Sequence, residues 1–132
     1  DYVSKVSQII EVRSKLVKIQ KELCKDKNVV MDGRDITTKV MPNAELKFFI
    51  TANIETRAQR RYDELKLINK NITLAEILEN LNKRDKDDIQ RKINPLTKAD
   101  DAIVIDNTSL NFAEQNQLIF NYIKNVINES NS

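Results

Sequence analysis

The run Leu46-Lys47-Phe48-Phe49-Ile50-Thr51-Ala52-Asn53-Ile54-Glu55-Thr56-Arg57 passes from one kind of local structure to another. Leu46 to Thr51 is short, apolar and aromatic, the composition of a buried strand. The turn-forming pair Pro42-Asn43 stands before it. Asn53 then suits a helix N-cap, because its side-chain oxygen accepts from a backbone N–H of the first turn. The spacing predicts a helix from Ile54, with Glu55 and Thr56 in that turn. A strand running straight into a helix is the building unit of α/β folds.

The same unit is expected on either side. Upstream, Asn28-Val29-Val30-Met31 is short, β-branched and bounded by Asp32-Gly33, which predicts another strand. Before it, Val3 to Leu23 reads as a helix whose apolar stripe is Val6, Ile9, Ile10, Val12, Leu16, Val17 and Ile19. Downstream, Lys66 to Asn71 is polar loop. Thr73 followed by Glu76 is a capping box for a helix with Leu74, Ile77, Leu78 and Leu81 on its apolar face. That helix runs to about Arg91 and must stop before Pro95. Ala102-Ile103-Val104-Ile105 is a third strand, ending in Asp106-Asn107-Thr108-Ser109. A last helix spans about Asn111 to Asn128, with Phe112, Leu118, Ile119, Tyr122, Ile123 and Val126 buried. Alternating strands and helices predict an α/β fold, a parallel sheet flanked by helices. Such sheets bind ligands beyond the carboxyl ends of their strands. Asp32–Asp35 and Asp106–Ser109 are both expected at such ends.

Composition narrows the chemistry. The 132 residues are 40% apolar and 32% charged with a net charge of +2, so no large basic field points to nucleic acid. There is no histidine, which excludes a His base or His-ligated metal. The single cysteine, Cys24, allows no disulfide within the chain and suits a reducing, cytoplasmic setting. No apolar run approaches the ~20 residues of a membrane span. With Gly33 the sole glycine, no glycine-rich phosphate loop lies in these residues.

Three groups could carry function. In Asp32-Gly33-Arg34-Asp35, a guanidinium suits a phosphate because its planar fork donates two parallel hydrogen bonds. The neighbouring carboxylates can accept from an amino group or a hydroxyl, and Gly33 would permit a turn that other residues resist. Taken singly, the same residues also fit an ordinary loop ion pair. Arg84, Asp88 and Arg91 share one helical face at offsets of four and seven. Two cations flanking an anion could hold a phosphate and a sugar hydroxyl; the plainer reading is a solvated, ion-paired helix. Of Arg57, Arg60 and Arg61, one is placed for a phosphate and the others for surface pairing. Ser4 and Arg13 carry the weakest signals.

The order of these motifs resembles the bacterial cytidylate kinases. The resemblance rests on Val3-Ser4-Lys5-Val6 through Val12-Arg13, Val30-Met31-Asp32-Gly33-Arg34-Asp35-Ile36, and Pro42 to Phe49. It continues through Glu55-Thr56-Arg57-Ala58-Gln59-Arg60-Arg61-Tyr62, Arg84-Asp85-Lys86-Asp87-Asp88, Asn94-Pro95-Leu96 and Ile105-Asp106-Asn107-Thr108-Ser109-Leu110. One departure is Ile10, where the family commonly has proline. The resemblance implies transfer of a phosphoryl group from ATP, with Mg2+, to CMP or dCMP. Ser4, Arg13 and Asp35 look like the cytosine-reading set, Arg34 and Arg91 like arginines on the acceptor phosphate, and Arg84 with Asp88 like the ribose pair. Arg57 and Arg61 look like arginines on the ATP phosphates. Asn107, Thr108 and Ser109 look like the adenine-side loop, working mainly through backbone.

The resemblance also implies that residues 1–132 are the C-terminal part of one such domain, a partial P-loop nucleoside monophosphate kinase fold. Residues 1–27 would end the acceptor-nucleotide region and its connecting helix. Residues 28–132 would form the core, with a short LID at about 61–92. The phosphate loop, its lysine, its hydroxyl ligand for Mg2+ and the central strand before it have no counterpart here, so no metal ligand is expected in this chain. In the family that central strand lies between those matching Asn28–Met31 and Leu46–Thr51. A gap there would leave buried backbone groups unpaired, at roughly 1–3 kcal/mol each, against a net stability of only about 5–15 kcal/mol. The expected partners are small nucleotides, with no nucleic acid and no membrane, and the intact protein is expected to be monomeric. The alternatives are a nucleotide-binding fragment without catalysis and a structural helical domain.

Overall fold

A computed structural model describes residue 6, residues 9–90 and residues 95–130. They divide into two compact units, one of Asp1–Ala44 with Lys86–Asp100 and the other of Glu45–Asp85 with Asp101–Ser132.

In the first unit, α1 spans Ile10–Cys24. It ends where Asp26 takes a left-handed backbone at φ 56°, a conformation that Asp tolerates better than most side chains. The start expected at Val3 lies outside the described residues. The predicted apolar stripe is not covered: no residue of α1 is buried, and Ile10, Leu16 and Ile19 are about half exposed. The helix packs on a single short π-helical turn, Ile36–Val40, whose Ile36 and Val40 form this unit's small core. One turn is too narrow a layer to cover a stripe that broad.

Asn28–Met31 corrects the expectation of a strand. The run makes no ladder, and Val30 is 98% exposed. A strand needs a neighbour for its N–H and C=O groups, and no described residue supplies one. Asp32–Asp35 therefore does not follow a strand.

The second unit holds the sheet. β1 is Phe48–Thr51 and β2 is Ile103–Asp106, paired in parallel from Phe48↔Ile103 to Thr51↔Asp106. The pairing continues past both ends, with Ile103 N–H donating to Lys47 O at 2.9 Å and Asn107 N–H to Thr51 O at 2.8 Å. Between the strands in sequence come α2, Ile54–Lys66, and α3, Leu74–Gln90, whose last residues from Lys86 belong to the first unit. Each helix start is capped as read from sequence. Asn53 Oδ1 accepts from Thr56 N–H at 2.7 Å, and Thr73 exchanges bonds with Glu76, whose carboxylate also takes the Thr73 hydroxyl.

α4, Phe112–Ser130, opens on another reciprocal cap between Asn111 and Glu114. Its Tyr122 meets the Phe48 ring edge-on, with centroids 5.8 Å apart. Phe112 was expected inside and is 79% exposed, because no described layer covers the first turn of α4. Ala58, Ile77 and Ile105 are the buried apolar side chains of this unit. Lys47 is buried as well and reaches out to Asp101 at 2.5 Å.

Candidate functional site

In the first unit the loop after Asn28–Met31 supplies two consecutive charges that turn to different partners. Asp35 accepts from Arg13 of α1 at 3.0 Å, with both side chains only 11–12% exposed. Arg34 donates through Nε to Asp88 of α3, whose side chain is 15% exposed. The loop is braced at both ends of this arrangement. Asp35 O accepts from Lys39 N–H at 2.8 Å, closing the π-helical turn, and Asp88 O accepts from Leu96 N–H at 2.8 Å. Four of the residues singled out from sequence, Arg13, Arg34, Asp35 and Asp88, thus form two adjoining ion pairs. Charges this far out of water are costly unless paired, and pairing fixes where each guanidinium points.

Gly33 is needed for a reason other than the one expected. No glycine here has a positive φ. A Cβ at Gly33 would instead lie 2.8 Å from Cγ1 of buried Ile36, so close approach, not turn conformation, selects glycine.

In the second unit Arg57 lies on α2 and grips Asp85 with both NH groups, at 3.0 and 2.6 Å. Those hydrogen bonds, and secondarily the Asp85 charge, raise the Arg57 pKa against the opposing effect of burial. Its Nε is buried without a hydrogen-bond partner among the described residues. Arg61, the other arginine expected at those phosphates, is exposed and paired with Glu64 one turn along. Arg84 is exposed on α3. Ser4 and Arg91 lie outside the described residues.

Asn107, Thr108 and Ser109 follow β2 at its carboxyl end, where the sheet was expected to present a site. Asp106 ties this loop down by accepting from the Thr108 hydroxyl at 2.6 Å and the Thr108 N–H at 2.9 Å. The hydroxyl bond first and the N–H bond second hold the Asp106 carboxyl below the usual carboxylate range. The Thr108 hydroxyl also accepts from Asn53 N–H at 2.9 Å. Arg60 donates to the Asn107 side chain and to two carbonyls of the loop.

Sequence reasoning missed two of these contacts. It assigned Arg60 to surface pairing and gave Asp85 no role, although Arg60 lies in the same helix as capping Asn53 and close to Arg57. Among the described residues no three His, Cys, Asp or Glu side chains are grouped to hold a metal ion. No described helix is long and apolar enough to cross a membrane.

The sequence profile of the family described as "Cytidylate kinase" matches residues 1–125. Curated cytidylate kinases align along nearly the whole chain. That of Flavobacterium psychrophilum is 48% identical over 126 residues, covering 96% of this chain and 56% of the relative. Those of Flavobacterium johnsoniae and Caldicellulosiruptor bescii are each 50% identical, over 127 and 130 residues, covering 96% of this chain and 55% and 58% of the relative. The chain thus spans about half the length of the curated relatives it matches. The match takes in both ion pairs, the α2 arginines and the loop after β2, and a profile covering all but the last few residues leaves one conclusion: this chain belongs to the cytidylate kinase family.

Proposed function

We propose that the protein containing this chain transfers the terminal phosphoryl group of ATP to CMP or dCMP, and that these residues supply the acceptor-nucleotide side. The observation that carries the reading is the pair of adjoining ion pairs Arg13–Asp35 and Arg34–Asp88, which gather two guanidinium and two carboxylate groups in one unit. Cytosine offers one amino donor and two acceptors, and Ser4, Arg13 and Asp35 match that edge with donors and a carboxylate. A site that reads polar groups by hydrogen bonds rejects analogues lacking them. Arg34 and Arg91 bind the acceptor phosphate. Asp88, with Arg84, takes the ribose hydroxyls.

Phosphoryl transfer asks for positioning and charge neutralisation more than covalent help. Arg57 is the residue that meets the ATP phosphates in this reading. Its unpartnered Nε supports the role, and Asp85 holds the group oriented until the anion arrives. Arg61 joins it by leaving the exposed Glu64 pair, an exchange that costs little because such pairs are weak. The backbone of Asn107 to Ser109 receives the adenine. Mg2+, when bound, screens the phosphates, and its ligands belong to segments outside this chain. Residues 1–27 end the acceptor-nucleotide region, 28–132 form the core and about 61–92 the LID of a cytoplasmic monomer.

The test separates sugar from phosphate in the full-length protein. Asp88→Ala is expected to weaken CMP binding about ten- to a hundredfold, the worth of a hydrogen bond to a charged group at about 1.5–3 kcal/mol, and to leave ATP binding nearly unchanged. Arg91→Ala is expected to lower kcat more, because a phosphate arginine also screens charge during transfer. Wild-type CMP affinity and kcat in both variants would reduce these residues to ordinary ion pairs on a helix.

A further inference from the structure

We propose that Arg60 is a positioning residue for the base of ATP: its guanidinium pins the loop after β2 so that the exposed turn at Thr108 and Ser109 is already ordered when the adenine arrives. The inference rests on the reading of that loop as the adenine side and adds to it a residue that the reading did not use.

The geometry is that of a fork closing a loop at both ends. Arg60 NH1 donates to Asn107 Oδ1 at 2.9 Å, while NH2 donates to Asn107 O at 2.8 Å and Leu110 O at 3.2 Å. One planar group therefore holds the first and last residues of the turn from 107 to 110. The neighbouring polar groups are taken up as well. Asn107 N–H goes to Thr51 O, Asn107 Nδ2 to Gln115 Oε1, Thr108 N–H to Asp106, and Leu110 N–H to Asn107 O. What remains uncommitted to any described residue is the Thr108 carbonyl and both backbone groups of exposed Ser109. These groups stay available to a ligand while Arg60 holds the two ends of the turn. A loop not held would have to be ordered at the moment of binding, at an entropic cost that prior fixing removes. Lysine could not substitute, since an ammonium lacks the planar fork that spans three acceptors.

The experiment uses the full-length protein with Arg60→Gln and Arg60→Lys. Amide hydrogen exchange at the bonded amides of Asn107, Thr108 and Leu110, without nucleotide, is expected to speed up about tenfold or more in Arg60→Gln, while β1 and α2 keep wild-type protection. The KM for ATP should rise about tenfold, with kcat at saturating ATP and the KM for CMP little changed. Arg60→Lys, with one donor group left, should fall between. Should Arg60→Gln fail to fold, Gln115→Ala loosens the same loop through the Asn107 side chain and is read in the same way. Faster exchange with wild-type KM for ATP would overturn the proposal, as would unchanged exchange. Two outcomes separate it from the kinase reading. If ATP protects the Ser109 amide while no phosphate reaches CMP, the kinase reading falls and the clamp stands. If CMP is phosphorylated while ATP never protects that amide, the clamp falls and the kinase reading stands.

Discussion

Arg34 and Asp35 are adjacent and oppositely charged, yet each pairs elsewhere, Arg34 with Asp88 and Asp35 with Arg13. Successive side chains diverge from the backbone, so neighbours in sequence are poor partners and the charges reach across 54 and 22 positions. Hydrogen bonding to one protonation state is also what sets the acid response of single residues here. Asp106 is held below its ordinary range by the Thr108 hydroxyl and then the Thr108 N–H. A carboxyl depressed in the folded state binds its proton more readily when unfolded, so its contribution is present above the unfolded pKa and is lost as pH falls through the folded one. Chemical denaturation followed from pH 6 down to pH 3 should therefore show a shallower loss of stability in Asp106→Asn than in wild type. Equal slopes would mean that the Thr108 bonds do not outlast contact with solvent.

Caps are local, and they were legible. Asn53, Thr73 and Asn111 sit within three residues of their partners, and α2 begins at Ile54 as the Asn53 signal predicted. Thr73→Ala removes the hydroxyl that accepts from Glu76 N–H and donates to its carboxylate. It should cost about 1 kcal/mol, measured by urea denaturation, with loss of helix confined to the first turn of α3. The run Asn28–Met31 departs from the expected strand for the opposite reason. Apolar composition says only that a run would suit a ladder, whereas the ladder itself needs a neighbour that composition cannot reveal. The candidate site divides along the same line. The arginines were legible as residue types at helical spacing, but their partners, set by contacts across tens of residues, were not. Arg60 was assigned to the surface because its three acceptors lie beyond β2, and two of them are backbone oxygens that no side-chain pattern records.

At the scale of the molecule, few of the described apolar side chains are buried. The described apolar side chains that are buried are Ile36, Val40, Ala58, Ile77 and Ile105, whereas Val30, Leu67, Ile68 and Phe112 are almost wholly exposed. No glycine-rich loop in these residues could cradle the ATP phosphates. Residues 1–132 by themselves are accordingly expected to give no CMP-dependent release of ADP in a coupled assay; clear turnover would show that Arg57 and its neighbours suffice without such a loop. Lys47 leaves a different mark. It is the one buried lysine among the described residues, its side chain 6% exposed and its ammonium drawn to Asp101 just ahead of β2. An acylating reagent at neutral pH, followed by mass spectrometry, should modify exposed lysines such as Lys66 and Lys83 within minutes and spare Lys47. Asp101→Ala should make Lys47 reactive while the other lysines keep their rates. That single amine is a built-in footprint of whether β1 and β2 have come together, readable in a crude mixture without nucleotide or turnover.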